Sequence, residues 1–405
     1  MNLDAKRPSE IELTDIRSLV DEKEPEGKRL DYKRCLPGST PEEITEFLKD
    51  VSAFANASGG FIIYGIEEEK DKKGNNTGKP GKICGLGEIN PDEKILSLKN
   101  ILRDRIKPQI SGIIINSIDI NDSNLIVYVY IPASWQAPHM ISYKGKQPFY
   151  VRTSRGKDPM DVPEIRHSFL ASESLFDSIR NFRFKRISMI KNDDTPVVLP
   201  GKSKIVIHII PIEHFMGKEV ISSYDYESEV GGINPFKVGS RGTRYCMDGI
   251  YSYGPLENEP DSYFLLFRNK SCEAVNSSLI NRNYHNTARK CIPHTYESAI
   301  ICEIESYVSF LSSIGARPPL VVMLSLLNVR GHFMLKGGLQ IYPEFAGEEI
   351  NKEDLLMPDI IMNDLDMNKE EIGIELKIVY DQIWNACGHP KSPNYDSKGE
   401  WKGEK

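Results

Sequence analysis

Two spacings of apolar residues alternate through the first 170 positions, and the changes between them predict helices layered on a sheet. In PEEITEFLKDVSAFANA (residues 41–57), Ile44, Phe47, Leu48, Val51 and Phe54 recur at helical spacing, with Pro41 at the first helical position. Ser58-Gly59-Gly60 ends that helix, and FIIYGI follows as a fully apolar strand of the buried kind. Lys70–Lys82 (KDKKGNNTGKPGK) reads as an exposed hairpin loop, and Ile95–Ile106 as another helix, broken at Lys107-Pro108. ISGIIINSIDI and SNLIVYVYIP form two strand runs joined through Asn121-Asp122. A third run, Pro148–Arg152, leads into a short helix, Val162–Phe169. The expected fold class is α+β, with helices covering one face of a mixed sheet.

Beyond about residue 170 the pattern blurs. Ser172–Lys191 reads as a linking helix, Lys204–Pro211 and Ser262–Arg268 as strands, Tyr296–Ser313 as a helix and Pro319–Leu327 as a buried strand. The expected organisation is an N-terminal helix or arm over 1–19, a first domain over 20–170, a second α/β domain over 171–390, and a disordered polar tail over 391–405. No internal repeat is apparent, although a diverged second copy of the first fold after residue 170 stays open.

Composition narrows the function classes. Of 405 residues, 40% are apolar and 27% charged, an ordinary globular balance. No stretch approaches the ~20 apolar residues of a bilayer span, and MNLDAKRPSEIEL has no apolar core of a secretory signal. Seven cysteines without close pairs point to a reducing cytoplasm. The net charge is −7, and the negative excess lies in the second half: 25 Lys+Arg against 26 Asp+Glu in residues 1–170, then 26 against 32. Bulk positive charge is therefore excluded as a means of coating nucleic acid, which leaves a local basic patch. Two clusters offer one. Lys99, Arg103, Arg105 and Lys107 include Arg103 and Lys107 at i, i+4. Lys144, Lys146, Arg152, Arg155 and Lys157 form an acid-free run interleaved with Tyr143, Phe149 and Tyr150, which adds stacking surfaces to phosphate contacts.

The ordered pieces LDYKR, EFLKDVSAFANASGGFIIYGIEE, ICGL, IKP, VYIPAS, AP and FYVRTSRGKDP resemble the Schlafen AlbA_2 domain over about residues 20–170. SAFANASGG is the most specific piece. The resemblance implies an α/β nucleic-acid-binding lobe, paired in vertebrate members to clasp transfer RNA, and in some members a metal-dependent endoribonuclease with three acids. The family's E-F-K motif corresponds to Asp31-Tyr32-Lys33, the acid five residues earlier to Glu26, and the third acid to Glu68. Relative to the common pattern, Asp31 replaces Glu and Glu68 replaces Asp, which moves the oxygens by about one methylene. Glu26, Asp31 and Glu68 are thus the candidate catalytic and metal residues, for Mg²⁺ or Mn²⁺. Such hard cations suit carboxylates and neutralise charge developing on a phosphoryl group. Lys33 and Arg34 join the candidate nucleic-acid contacts beside Asp31. The partner expected is RNA or DNA, with transfer RNA favoured. A homodimer or a diverged second lobe would complete a clamp, and a role in antiphage defence fits the resemblance. The competing reading is a non-catalytic DNA-binding, transcriptional-regulatory or ligand-sensing module.

Other signals carry less. No G-x-x-x-x-G-K-[ST] occurs, and Gly231-Gly232 and Gly239–Gly242 open no helix after a clean strand, so ATP is not expected. His285, Cys291 and His294 are the closest mixed cluster, without C-x-x-C or H-x-x-x-H spacing for zinc. Pro358-Asp359 with Glu375-Leu376-Lys377 imitates the P-D…E-x-K layout of metal-dependent nucleases, within a segment that reads as a strand or helix packing its apolar positions.

Overall fold

The structure, a computed structural model, describes the chain except residues 1–2, 4–5, 7, 122, 144–147, 155, 217–220, 238, 241, 256–258, 284–289, 336–347 and 404–405. The chain divides into two compact units, Met1–Ser178 and Ile179–Lys405.

The first unit runs α1 (Leu13–Asp21), β1 (Leu30–Lys33), α2 (Pro41–Ala55), β2 (Gly60–Tyr64), β3 (Ile66–Lys70), β4 (Asn76–Ile83) and α3 (Pro91–Arg105). It continues through β5 (Ile106–Lys107), β6 (Ile114–Asn121), β7 (Asn124–Ile131), β8 (Met140–Ile141), β9 (Tyr150–Thr153) and β10 (Gly156–Pro159) into α4 (Val162–Lys191). Four strands make the central sheet in the order β1-β2-β7-β6, with β1 parallel to β2 and the other pairs antiparallel. The sheet is mixed, as expected, but helices cover both faces. Ile62, Tyr64, Val127 and Val129 pack with Phe47, Val51 and Phe54 of α2 and Leu98 and Leu102 of α3. Their alternates Phe61, Ile63, Tyr128 and Tyr130 pack with Ile16 and Leu19 of α1. That is why FIIY and LIVYVYI are apolar at every position rather than at every second one.

The SAFANASGG segment acts as scaffold. Asn56, the C-cap of α2, donates to the His139 and Tyr150 carbonyls (3.0 and 2.8 Å) and accepts from the His139 N–H at 2.6 Å. Gly59 (φ +65°) and Gly60 (φ +149°) let the chain pass so closely that a Cβ would lie 2.4 Å from the Ala133 nitrogen and 2.2 Å from the Arg29 carbonyl oxygen. His139 is buried between the Pro108 carbonyl and the Ser134 hydroxyl, and burial lowers its pKa to about 4, so it is a neutral structural group. The stretch read as a hairpin loop is a paired hairpin, β3 on β4, and the short helix expected at Val162 continues to Lys191.

The second unit contains β11 (Lys204–Pro211), α5 (Ile212–Met216), α6 (Glu227–Gly231), β12 (Thr243–Tyr245), β13 (Gly249–Gly254), β14 (Ser262–Phe267), β15 (Cys272–Asn276), β16 (Arg282–Asn283) and β17 (Lys290–Pro293). Then come α7 (Tyr296–Ser313), β18 (Leu320–Leu327), β19 (Phe333–Leu335), β20 (Leu355–Leu356), β21 (Ile360–Met362) and α8 (Lys369–Ala386). Its large sheet, β12-β13-β14-β15-β11-β18-β20 with β21 also on β18, is antiparallel at every pairing. This unit too combines helices with a sheet, in keeping with the α+β class expected of the chain. Its sheet is not a second copy of the first, which opens on a parallel pair.

The expectation of a disordered tail is also corrected. Ser392 and Asn394 are buried and donate to the buried Glu297 carboxylate at 2.9 and 3.0 Å, while Tyr395 packs at 7% exposure. Two polar side chains of this segment satisfy a core acid, which a solvated tail would not do.

Candidate nucleic-acid interface and carboxylate cluster

β1 is one of the two edges of the first sheet, and the candidate acids gather near it. Side chains two apart on a strand share a face, so Asp31 and Lys33 both point toward α2 while Tyr32 points to the α1 side. Glu26 lies in the loop before β1. Its Oε1 accepts from the Tyr32 N–H at 2.9 Å, which caps an edge donor that a neighbouring strand would otherwise take. The Glu26 N–H in turn donates to the Gly78 carbonyl at 2.6 Å, which ties the loop to the β3–β4 hairpin carrying Glu68.

Glu26 is pushed up to about 7. Burial is the largest cause, followed by the negative charge of Asp31, and the Glu68 charge adds to both; the Tyr32 N–H opposes them. A protonated Glu26 also donates to Asp31. Glu26, Asp31 and Glu68 are thus close enough to feel one another. They are not gathered round one point: among the described residues no three acids, histidines or cysteines could hold a metal ion together. Glu68 Oε1 accepts from Asn76 Nδ2 at 3.0 Å, and Asp31 is held by two cations, Lys33 at 2.9 Å and Arg152 at 3.3 Å. The donor set has the right chemistry for a hard cation. As placed, the carboxylates do not fit one.

Two acids that the sequence reading passed over belong to the same cluster. Asp50 of α2 is buried and faces Lys157 (2.5 Å) and Lys33 (4.0 Å); burial raises its pKa against those cations. Glu46, one turn earlier, shares Lys157 at 2.5 Å. The signal was available: Asp50 stands three residues after Phe47 and four before Phe54, a carboxylate on the apolar stripe of its own helix.

The basic residues divide sharply. Arg152, expected among the phosphate contacts, is buried. Its guanidinium lies 4.6 Å from the Phe54 ring, donates to the Gly27 carbonyl at 3.1 Å and pairs with Asp31, so it braces the cluster. Lys157, held by Glu46 and Asp50 with its side chain 16% exposed, is likewise occupied. Lys144, Lys146 and Arg155 lie outside the described residues. Tyr143 and Tyr150, read as stacking surfaces, have Arg105 and Lys49 over their rings at 5.0 and 5.4 Å.

Lys99, Arg103, Arg105 and Lys107 are all exposed at the end of α3. Lys107 falls just beyond the helix, on β5, yet its ammonium still reaches the Arg103 carbonyl at 3.3 Å. Beside them a cleft of about 190 Å³ has Leu102, Ile106 and Ile110 in its walls and Lys99 and Arg103 among its lining. Lys33 is half-exposed above Asp31, and Arg34 is exposed with a 3.2 Å contact to Glu67.

The nuclease-like pattern of the second unit dissolves. Glu375 and Lys377 sit two apart on α8, where side chains do not face each other. Lys377 pairs with Asp381, and Asp359 with Arg183 at 3.3 Å. Of the mixed cluster, Cys291 is buried and His285 lies outside the described residues. None of the seven cysteines is in a disulfide, and among the described residues no helix is long and apolar enough to cross a membrane.

Comparison with known proteins gives residues 26–161 as a match to the family model described as Schlafen, AlbA_2. No curated protein matches the chain. Among solved structures, the N-terminal domain of a RecG-related protein from Nitrosomonas europaea is 20% identical, covering 36% of this chain and 92% of that one, with a TM-score of 0.26. The DIP2311 protein from Corynebacterium diphtheriae is 18% identical over 37% of this chain and 26% of its own, with a TM-score of 0.24.

Proposed function

With residues 26–161 a Schlafen AlbA_2 domain, we propose that this chain binds nucleic acid through its first unit, and that its preferred partner is RNA of the transfer-RNA kind in a reducing cytoplasm. The family match is the observation that carries the reading; the α3 end supplies the chemistry. Four exposed cations there lie beside an apolar cleft, a combination suited to phosphates and an unstacked base. Arg34 and Lys33 extend the positive groups toward the carboxylate cluster. Because the second unit has a different topology, a two-lobed clamp would need a second copy of the chain, which sedimentation with and without transfer RNA would reveal.

The test is binding of labelled transfer RNA and duplex DNA by Arg103→Ala/Lys107→Ala. Loss of two phosphate contacts lowers affinity for every sequence and reduces the salt slope by about 1.4–1.8. Unchanged affinity and slope would remove α3 from the interface, and tighter binding to duplex DNA than to RNA would reverse the preference.

A second reading, RNA cleavage with Mg²⁺ or Mn²⁺ through Glu26, Asp31 and Glu68, is favoured by one observation: burial, with the charges of Asp31 and Glu68 added to it, leaves Glu26 near 7, a cost to its charged form that a cation would offset. It requires Lys33 to leave Asp31 and Glu68 to leave Asn76. Transfer RNA that stays intact across a Mn²⁺ titration, equally with wild type and Glu26→Gln/Asp31→Asn, would retire it.

A further inference from the structure

We propose that the second unit holds a separate site for a small nucleoside phosphate, in a polar cavity at one end of its large sheet. Antiparallel pairing places the start of β11 beside the ends of β15 and β18: Ile205 faces Asn276, and Lys204 faces Leu327. Where those three strands leave the ladder the chain opens a cavity of about 1160 Å³, slightly above the usual range for small-molecule sites.

Four lysines line it: Lys191, Lys202, Lys204 and Lys290. Two are neutralised, Lys191 by Asp354 at 2.8 Å and Lys204 by Asp193 at 3.1 Å. The other two have no carboxylate partner among the described residues. Lys290 reaches the Asn281 carbonyl, at 3.0 Å, and Lys202 is exposed. An anion at either lysine gains a charge-assisted hydrogen bond without displacing an existing ion pair.

A second feature points past a bare anion. Asp261 is on the same wall. A carboxylate lining a cavity accepts from a sugar hydroxyl or a base N–H, a donor that an ester phosphate does not supply. The wall also carries Asn328 in the left-handed region (φ 53°), a conformation that non-glycine residues hold mostly at turns and functional sites. A nucleoside monophosphate carries both: a phosphate for the lysines, and a sugar hydroxyl or base N–H for Asp261.

Calorimetry on the full chain with AMP, ribose 5-phosphate, adenosine and inorganic phosphate tests this. AMP should bind tightest, with adenosine and inorganic phosphate each weaker by about tenfold or more. Lys202→Gln/Lys290→Gln should lower AMP affinity by about tenfold, and Asp261→Asn should lower it while sparing inorganic phosphate. Circular dichroism melts of each variant establish that the fold is kept. The proposal falls if AMP gives no binding heat, or if the lysine pair can be replaced without effect. It also falls if a single-stranded oligonucleotide, but not AMP, binds in a manner that Lys202→Gln/Lys290→Gln abolishes. The site does not depend on the first unit's interface, so Arg103→Ala/Lys107→Ala leaves AMP binding unchanged.

Discussion

Glu26 of the first unit and Glu273 of the second are both glutamates drawn out of water, yet their acidities move in opposite directions. Glu26 is raised to about 7 and Glu273 lowered to about 2. Burial raises both. Around Glu273 it is outweighed: Arg186 makes two contacts to the carboxylate (2.8 and 2.9 Å), His208 lies at 2.9 Å and the Tyr263 hydroxyl at 2.8 Å. Around Glu26 the neighbours include Asp31 and Glu68, and one backbone N–H is too little to reverse the sign. Burial alone therefore does not distinguish a site from a structural brace. The partners do: both Glu273 oxygens accept from donors, whereas Glu26 is half-buried beside two further carboxylates with one backbone donor.

The largest way to break this contrast is Arg186→Leu. Removing one partner of a buried pair leaves the Glu273 charge uncompensated, which costs roughly 3–5 kcal/mol. Hydrogen exchange at β11 and β15 should show the loss, with β1 and β2 unaffected. A change below about 1 kcal/mol would mean that the pair is no brace. The first unit also has a neutral brace to set beside it. Asn56→Ala removes an amide that bonds two carbonyls and one N–H, and should cost about 1–3 kcal/mol in the exchange stability of β2 and β7.

Titration sharpens the contrast with less energy. An acid whose pKa is higher folded than unfolded binds its proton more tightly in the fold, so its favourable contribution is present at low pH and is lost as pH rises. For Glu26 the window runs from about 4.5 to about 7, and first-unit stability should fall across it by on the order of 1–2 kcal/mol after solvent screening. Glu26→Gln should flatten that slope. Glu273 has the opposite sign: its folded pKa is depressed, so its contribution is complete above about 4.5 and disappears only as pH falls toward 2. Melting at pH 5 and pH 8 that gives equal first-unit stability would contradict the raised acid.

How far the sequence revealed this depends on where the information sits. Helices such as Tyr296–Ser313 and strands such as Lys204–Pro211 were legible because burial imposes a local period. The tail was misread because its polar residues look solvated in sequence; only the distant Glu297 makes Ser392 and Asn394 core groups. The three candidate acids were found by resemblance, and their electrostatic coupling depends on the Glu26 loop meeting the β3–β4 hairpin, which no local pattern reports. Arg152 and Lys157 were misassigned for a related reason. A run of cations with no acid nearby in sequence looks free, but Asp31, Glu46 and Asp50 approach from β1 and α2 and take both charges.

Arg34 offers the smallest and most discriminating change. It lies two residues beyond Tyr32, with its side chain 67% exposed and, among the described residues, a single carboxylate contact, Glu67 at 3.2 Å. A pair that wet contributes little, so Arg34→Ala should alter first-unit stability by less than about 1 kcal/mol. Its effect on nucleic acid should be larger than its effect on the fold, because a guanidinium that leaves Glu67 for a phosphate exchanges one exposed partner for another and releases a counterion. Transfer-RNA affinity should fall a few-fold, with the salt slope shallower by about 0.7–0.9. Arg152→Ala, by contrast, should lower stability strongly, since it uncovers the buried Asp31 charge, while leaving the salt slope of any residual binding unchanged. If Arg34→Ala destabilises as much as Arg152→Ala, or if Arg152→Ala flattens the slope instead, the division between bracing and ligand-facing cations is wrong, and the interface lies on the buried side of the cluster.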